Sequence, residues 1–118
     1  MKYLKTTGFV FGTIALILAL SYFSTVKAAD FTLIRGDCNQ DAQVDMSDAI
    51  SILSYLYSDW DSPCLAACDV HDDGFVEDAD YVYLVNFLFQ GGPPPAFPFP
   101  TCGEVETTLA CDDDSACP

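Results

Sequence analysis

Positive charge is almost missing from this chain. Its 118 residues hold four Lys and Arg against 18 Asp and Glu, a formal net charge of −14. Lys2, Lys5 and Lys27 stand near the start, which leaves Arg35 alone among all the carboxylates. Such a surface repels the phosphates of nucleic acids and of anionic membranes, so both are excluded as partners on charge. Histidine is nearly absent as well: His71 stands alone, and no Cys-x-x-Cys pair occurs, so a zinc site built on paired cysteines is not expected. A long apolar run is also lacking. The stretch Phe9–Leu20 is about 12 residues, short of the ~20 that span a bilayer.

That short run sits where a leader would have it. Met1–Lys5 carries two lysines, and Val26-Lys27-Ala28 offers small residues at −3 and −1 of a cleavage point. Residues 1–28 therefore read as a secretory signal peptide cleaved after Ala28. A membrane anchor is the competing reading, disfavoured by the length of the run. All the acidic residues and all six cysteines lie beyond it, in what reads as one small exported domain. In an oxidising compartment an even cysteine count suggests disulfides, with many pairings formally open. Acid-rich chains can be disordered, but the aromatic and aliphatic content here is too high for that. Clustered carboxylates have a purpose if they hold cations, and folding is then coupled to the metal.

Two stretches have the spacing for it. Asp69-Val70-His71-Asp72-Asp73-Gly74-Phe75-Val76-Glu77-Asp78-Ala79-Asp80 puts side-chain oxygens at loop positions 1, 5, 9 and 12, with glycine at 6. Ca²⁺ takes about six to eight oxygens at roughly 2.3–2.6 Å, and a twelve-residue loop of this pattern wraps one ion. The pattern repeats 32 residues earlier (Asp37 to Asp69) as Asp37-Cys38-Asn39-Gln40-Asp41-Ala42-Gln43-Val44-Asp45-Met46-Ser47-Asp48. The register continues past the loops, with Ile52 matching Leu84, Leu53 matching Val85 and Leu56 matching Leu88. A fixed period that keeps oxygen and apolar positions in phase signals a duplicated unit.

Each loop leads into a helix. Asp45 or Ser47 is a candidate N-cap for the first. Ala49, Ile52, Leu53 and Leu56 fall on one helical face, and Tyr81, Leu84, Val85 and Leu88 repeat that stripe. The two stripes are expected to pack into the core. Val44 and Val76, at position 8 of each loop, are expected to point inward and to pair through a two-residue ladder. Phe31, Leu33 and Ile34 can form a short extended lead-in, and Ser58–Cys68 reads as a turn-rich connector with Trp60 covering one end of the core. Gly91-Gly92 ends the second helix. The proline-rich stretch that follows is expected to run extended and lay Phe97 and Phe99 back over the helices. Asp112-Asp113-Asp114 lacks loop spacing and reads as solvated. Ile50, Tyr55, Tyr57, Val82, Tyr83, Phe87 and Phe89 fall partly outside the stripe, which points to flanking segments or a partner protein.

With Gly36-Asp37-x-Asn39-x-Asp41…Asp45-x-Ser47-Asp48-Ala49-Ile50 and its echo over 69–82, the chain resembles a type I dockerin. The resemblance runs from about Phe31 to Cys111. It implies an all-α fold of two antiparallel calcium-loop–helix repeats over 31–90, at 37–57 and 69–89, with a proline-rich, cysteine-stapled tail over 91–118. It implies two Ca²⁺ sites: Asp37, Asn39, Asp41, the Gln43 carbonyl, Asp45 and Asp48 at the first; Asp69, Asp73, the Phe75 carbonyl, Glu77 and Asp80 at the second. It further implies a secreted module that docks onto a cohesin domain in polysaccharide-degrading assemblies. Contacts would fall on Met46, Ser47, Asp78 and Ala79 and on outer helix faces carrying Tyr55, Tyr83 and Phe87.

Two residues depart from the family pattern. Ala42 stands at the glycine position, where a left-handed residue with a Cβ costs on the order of 1–2 kcal/mol. His71 stands where Asn or Asp is usual, and imidazole suits a hard ion poorly. If the loops lie side by side, Cys38 can bridge to Cys68; Cys102 with Cys111 would then close a tail loop and leave Cys64 with Cys117. The alternative to a docking module is a stand-alone structural or self-assembling protein of the same fold. An enzyme is not expected, because the carboxylates are committed to the loops and His71 has no nucleophile beside it.

Overall fold

The computed structural model describes residues 25–112 and 115–118. Most of the expected leader, 1–28, lies outside the described residues, as do Asp113 and Asp114.

The fold is not all-α. Strand β1 (Ala29–Leu33) pairs antiparallel with strand β2 (Gly103–Thr107), Phe31 lying opposite Val105 and Leu33 opposite Gly103. The lead-in was legible as extended chain, but its partner was hidden in an acidic tail. Glu104 and Glu106 take the exposed positions of β2 while Val105 turns inward, the alternation of a strand with one face covered. Phe31 and Val105 pack with Leu33, Ala66, Ala67, Leu109 and Cys111 into a cluster separate from the helical core.

Helix α1 (Met46–Tyr57) starts at Asp45, whose carboxylate accepts a hydrogen bond from the Ser47 amide. Asp48 returns the favour by accepting from the Asp45 amide at 2.9 Å, so two otherwise orphaned donors are satisfied. A four-residue helix α2 (Leu65–Cys68) interrupts the connector. Helix α3 (Asp78–Gln90) ends at Gly91, whose φ of 67° is the left-handed conformation that suits glycine. The α1 and α3 stripes meet as expected: Ala49, Ile52 and Leu84 are fully buried with Cys38, Cys68 and Val70, and Leu56, Tyr81, Val85, Leu88 and Trp60 pack around them. Tyr57, at the end of α1, donates to Asp78 at the start of α3 at 2.5 Å, which fits antiparallel helices. Val44 and Val76 pack on this core. Among the described residues no ladder joins them, and the isolated bridge is Cys64 with Cys111.

The disulfides correct the tail. Cys38 joins Cys68, but Cys64 joins Cys111 and Cys102 joins Cys117. The expected Cys102–Cys111 pair closed the tail on itself and left Cys64 to Cys117 by default. Once β2 is zipped to β1, Cys111 lies against α2, where the Ala66 amide also bonds the Ala110 carbonyl. Phe99 does return to the helices, edge-on to Phe87 with ring centres 5.3 Å apart, whereas Phe97 is 71% exposed.

Arg35 ties these parts together. It is 2% exposed. Its guanidinium donates to the carbonyls of Ala66 and Asp69 and of Phe97, and pairs with Asp72 at 3.0 Å. Among the described residues no helix is long and apolar enough to cross a membrane.

Candidate metal centre

The two loops share one hydrogen-bond scheme. Asp37, the first residue of loop one, accepts from the amides of Asp41 at 3.1 Å and Ala42 at 2.9 Å. Asp69 repeats this with the amides of Asp73 at 3.1 Å and Gly74 at 2.9 Å. At the far end Asp48 accepts from the Asp45 amide and Asp80 from the Glu77 amide, both at 2.9 Å. The backbone repeats as well: Gln40 and Asp72 both have φ of 60°, while Ala42 at 68° and Gly74 at 89° both turn left-handed. The turn needs that conformation, so Ala42 carries the strain that Gly74 avoids.

In loop one the carboxylates of Asp37, Asp41 and Asp48 converge, with one oxygen of each within 4.8 Å of the others. Asn39 is held beside them, its side-chain amide donating to Asp41 and Ser47. Gln43 donates its backbone amide to Asp41. The Asp45 carboxylate is turned to cap α1, accepting from the Ser47 amide and hydroxyl. Burial pushes the Asp37 carboxyl up to about 6, with a contribution from the charge of Asp41. Burial pushes Asp48 up to about 7, the charges of Asp37 and Asp41 adding to it. Fully buried carboxylates that repel one another are stabilised by a cation, and the donors here are all oxygen. The residues fit Ca²⁺.

Loop two is built differently at its centre. Asp69, His71 and Asp73 converge within the same 4.8 Å limit. His71 lies between two carboxylates, Nδ1 2.7 Å from Asp80 and Nε2 2.9 Å from Asp73. Asp80 thus meets the cluster through the imidazole. Burial alone would lower the His71 pKa, but the hydrogen bond and charge of Asp80, then the charges of Asp73 and Asp69, outweigh it and raise it. Glu77 is exposed, and Phe75, 68% exposed, donates its amide to Asp73. The loop scheme fits a cation, while the nitrogen at its third position departs from an all-oxygen set. His71, the departure from the family pattern, lies among the carboxylates of Asp69, Asp73 and Asp80. Arg35 stands two residues before loop one, and nothing local in the sequence shows the buried carbonyls it bonds.

Of the expected contact residues, Met46, Ser47, Asp78 and Ala79 are exposed and Tyr55 is half-buried. Tyr83 and Phe87 are half-buried against the tail: the Tyr83 hydroxyl donates to the Pro94 carbonyl at 3.0 Å, and Phe87 meets Phe99.

No curated protein and no solved structure was found to match the chain. The family model of the dockerin type I domain matches residues 35–89, the span from Arg35 through both loops and both long helices. Residues 35–89 are thus a type I dockerin domain.

Proposed function

We propose that the chain is a secreted, calcium-dependent binding module that docks onto a cohesin-like domain of an extracellular partner, in an assembly that degrades polysaccharide. The leader read over residues 1–28 supplies the export. The observation that carries the reading is the repeated loop scheme, in which Asp37 and Asp69 each gather two amides of their own loop. Calcium in loop one neutralises Asp37, Asp41 and Asp48 and fixes the start of α1. The docking face then centres on Met46 and Ser47 at that start, and on Asp78 and Ala79 at the start of α3. These loop positions differ between the repeats, so the two ends of the face are not interchangeable. The chain acts by binding rather than by catalysis.

Titration calorimetry against a panel of cohesin domains, in calcium and in EDTA, tests this. Binding in calcium that EDTA abolishes is the expected result. Silence across the panel, together with self-association that grows with concentration, would favour the stand-alone assembly instead.

A further inference from the structure

We infer that loop two takes a borderline first-row divalent cation of the zinc, cobalt and nickel class in preference to calcium, with His71 as its nitrogen ligand. The inference rests on the reading of this loop as a cation loop and changes the ion it holds. Imidazole suits such ions, whereas calcium takes oxygen. One ligand atom each from Asp69, His71 and Asp73 lies within 4.8 Å of the others.

The surroundings orient the ring as a metal-bound histidine is oriented. A ligating imidazole commonly donates its other N–H to a carboxylate, which fixes its tautomer. Here Nδ1 is 2.7 Å from Asp80, a fully buried carboxylate already held by the amides of Val70 and Glu77. Nε2 is then the nitrogen on the cluster side, 2.9 Å from the Asp73 carboxylate with which it would share the ion. The ring also stacks on Tyr83, centres 6.0 Å apart and planes within 20°, and Tyr83 is itself anchored to Pro94. Loop one has no such group, for Asn39 occupies the matching place. The two loops therefore divide the ions: calcium to the first, a borderline metal to the second.

His71 is the sole histidine, so its ring nitrogens report on this loop alone. The test is a titration of the full chain with CaCl₂ and then with ZnCl₂ or CoCl₂, followed by native mass spectrometry, the long-range ¹H–¹⁵N imidazole spectrum and, for cobalt, visible absorption. One calcium and one zinc or cobalt per chain are expected, with the His71 nitrogens shifted by zinc and unmoved by calcium. His71→Asn should weaken zinc by roughly tenfold or more and admit a second calcium. Two calcium ions in the unaltered chain, with an imidazole spectrum indifferent to zinc, would overturn the choice of ion. A second loop that takes neither ion would overturn the cation-loop reading beneath it. The spectrum of the unaltered chain decides the matter even if the variant does not fold.

Discussion

Asp37 and Asp69 stand one repeat apart and occupy the same cradle, each accepting from the amides four and five residues further on at matching distances. Each carboxylate organises its loop from inside. Asp37→Ala therefore removes the calcium of loop one and frees two backbone amides, and Asp80→Ala strips loop two of its buried end. Native mass spectrometry should show one ion fewer for each variant, and calorimetry a lower melting temperature.

Ala42 has φ of 68°. Ala42→Gly relieves a left-handed alanine, offset in part by the looser unfolded chain, for a gain of about 1 kcal/mol. In a domain of this size that is roughly 4–8 °C of melting temperature. Gly74→Ala should lose a similar amount, since the loops turn alike at these positions. A Cβ at Gly74 would meet nothing within 4 Å, so strain alone sets that loss.

Burial holds Asp37 up at about 6 and Asp48 at about 7 in the chain without its ion. The folded chain then keeps protons that the unfolded chain, with carboxylates near pH 4, has released. The stability these two groups contribute is fully present below about pH 4 and is lost as pH rises through about 6 to 7. In EDTA the melting temperature should fall over that window. Saturating calcium should remove most of the fall, because the ion takes the place of the protons.

Arg35 donates to the carbonyls of Ala66, Asp69 and Phe97 from a buried position. Arg35→Met keeps the bulk and removes the donors, leaving buried acceptors unsatisfied at a cost of about 3 kcal/mol or more. Urea unfolding of the variant beside the parent chain measures it.

Much of this architecture is written in local pattern. Loop spacing, the Ala49–Ile52–Leu56 stripe and its echo, the cap at Asp45 and the stop at Gly91 each follow from residues within a turn or two of one another. What escaped reading depends on chain ends meeting far apart in sequence. β2 carries one apolar residue, Val105, between two glutamates, and becomes a strand because β1 lies beside it. The pairing of Cys64 with Cys111 follows from that alignment and has no local signature. His71 was legible as a departure from the oxygen pattern; its contacts with Asp73 at loop position 5 and Asp80 at position 12 were not.

The central claim is that a divalent cation organises the paired loops and so the helices that follow them. Thermal unfolding of the chain, with calcium saturating and with calcium removed by EDTA, tests it most directly. A melting temperature raised in calcium and restored to its lower value by chelation is the expected result; a transition that ignores calcium altogether would contradict the account.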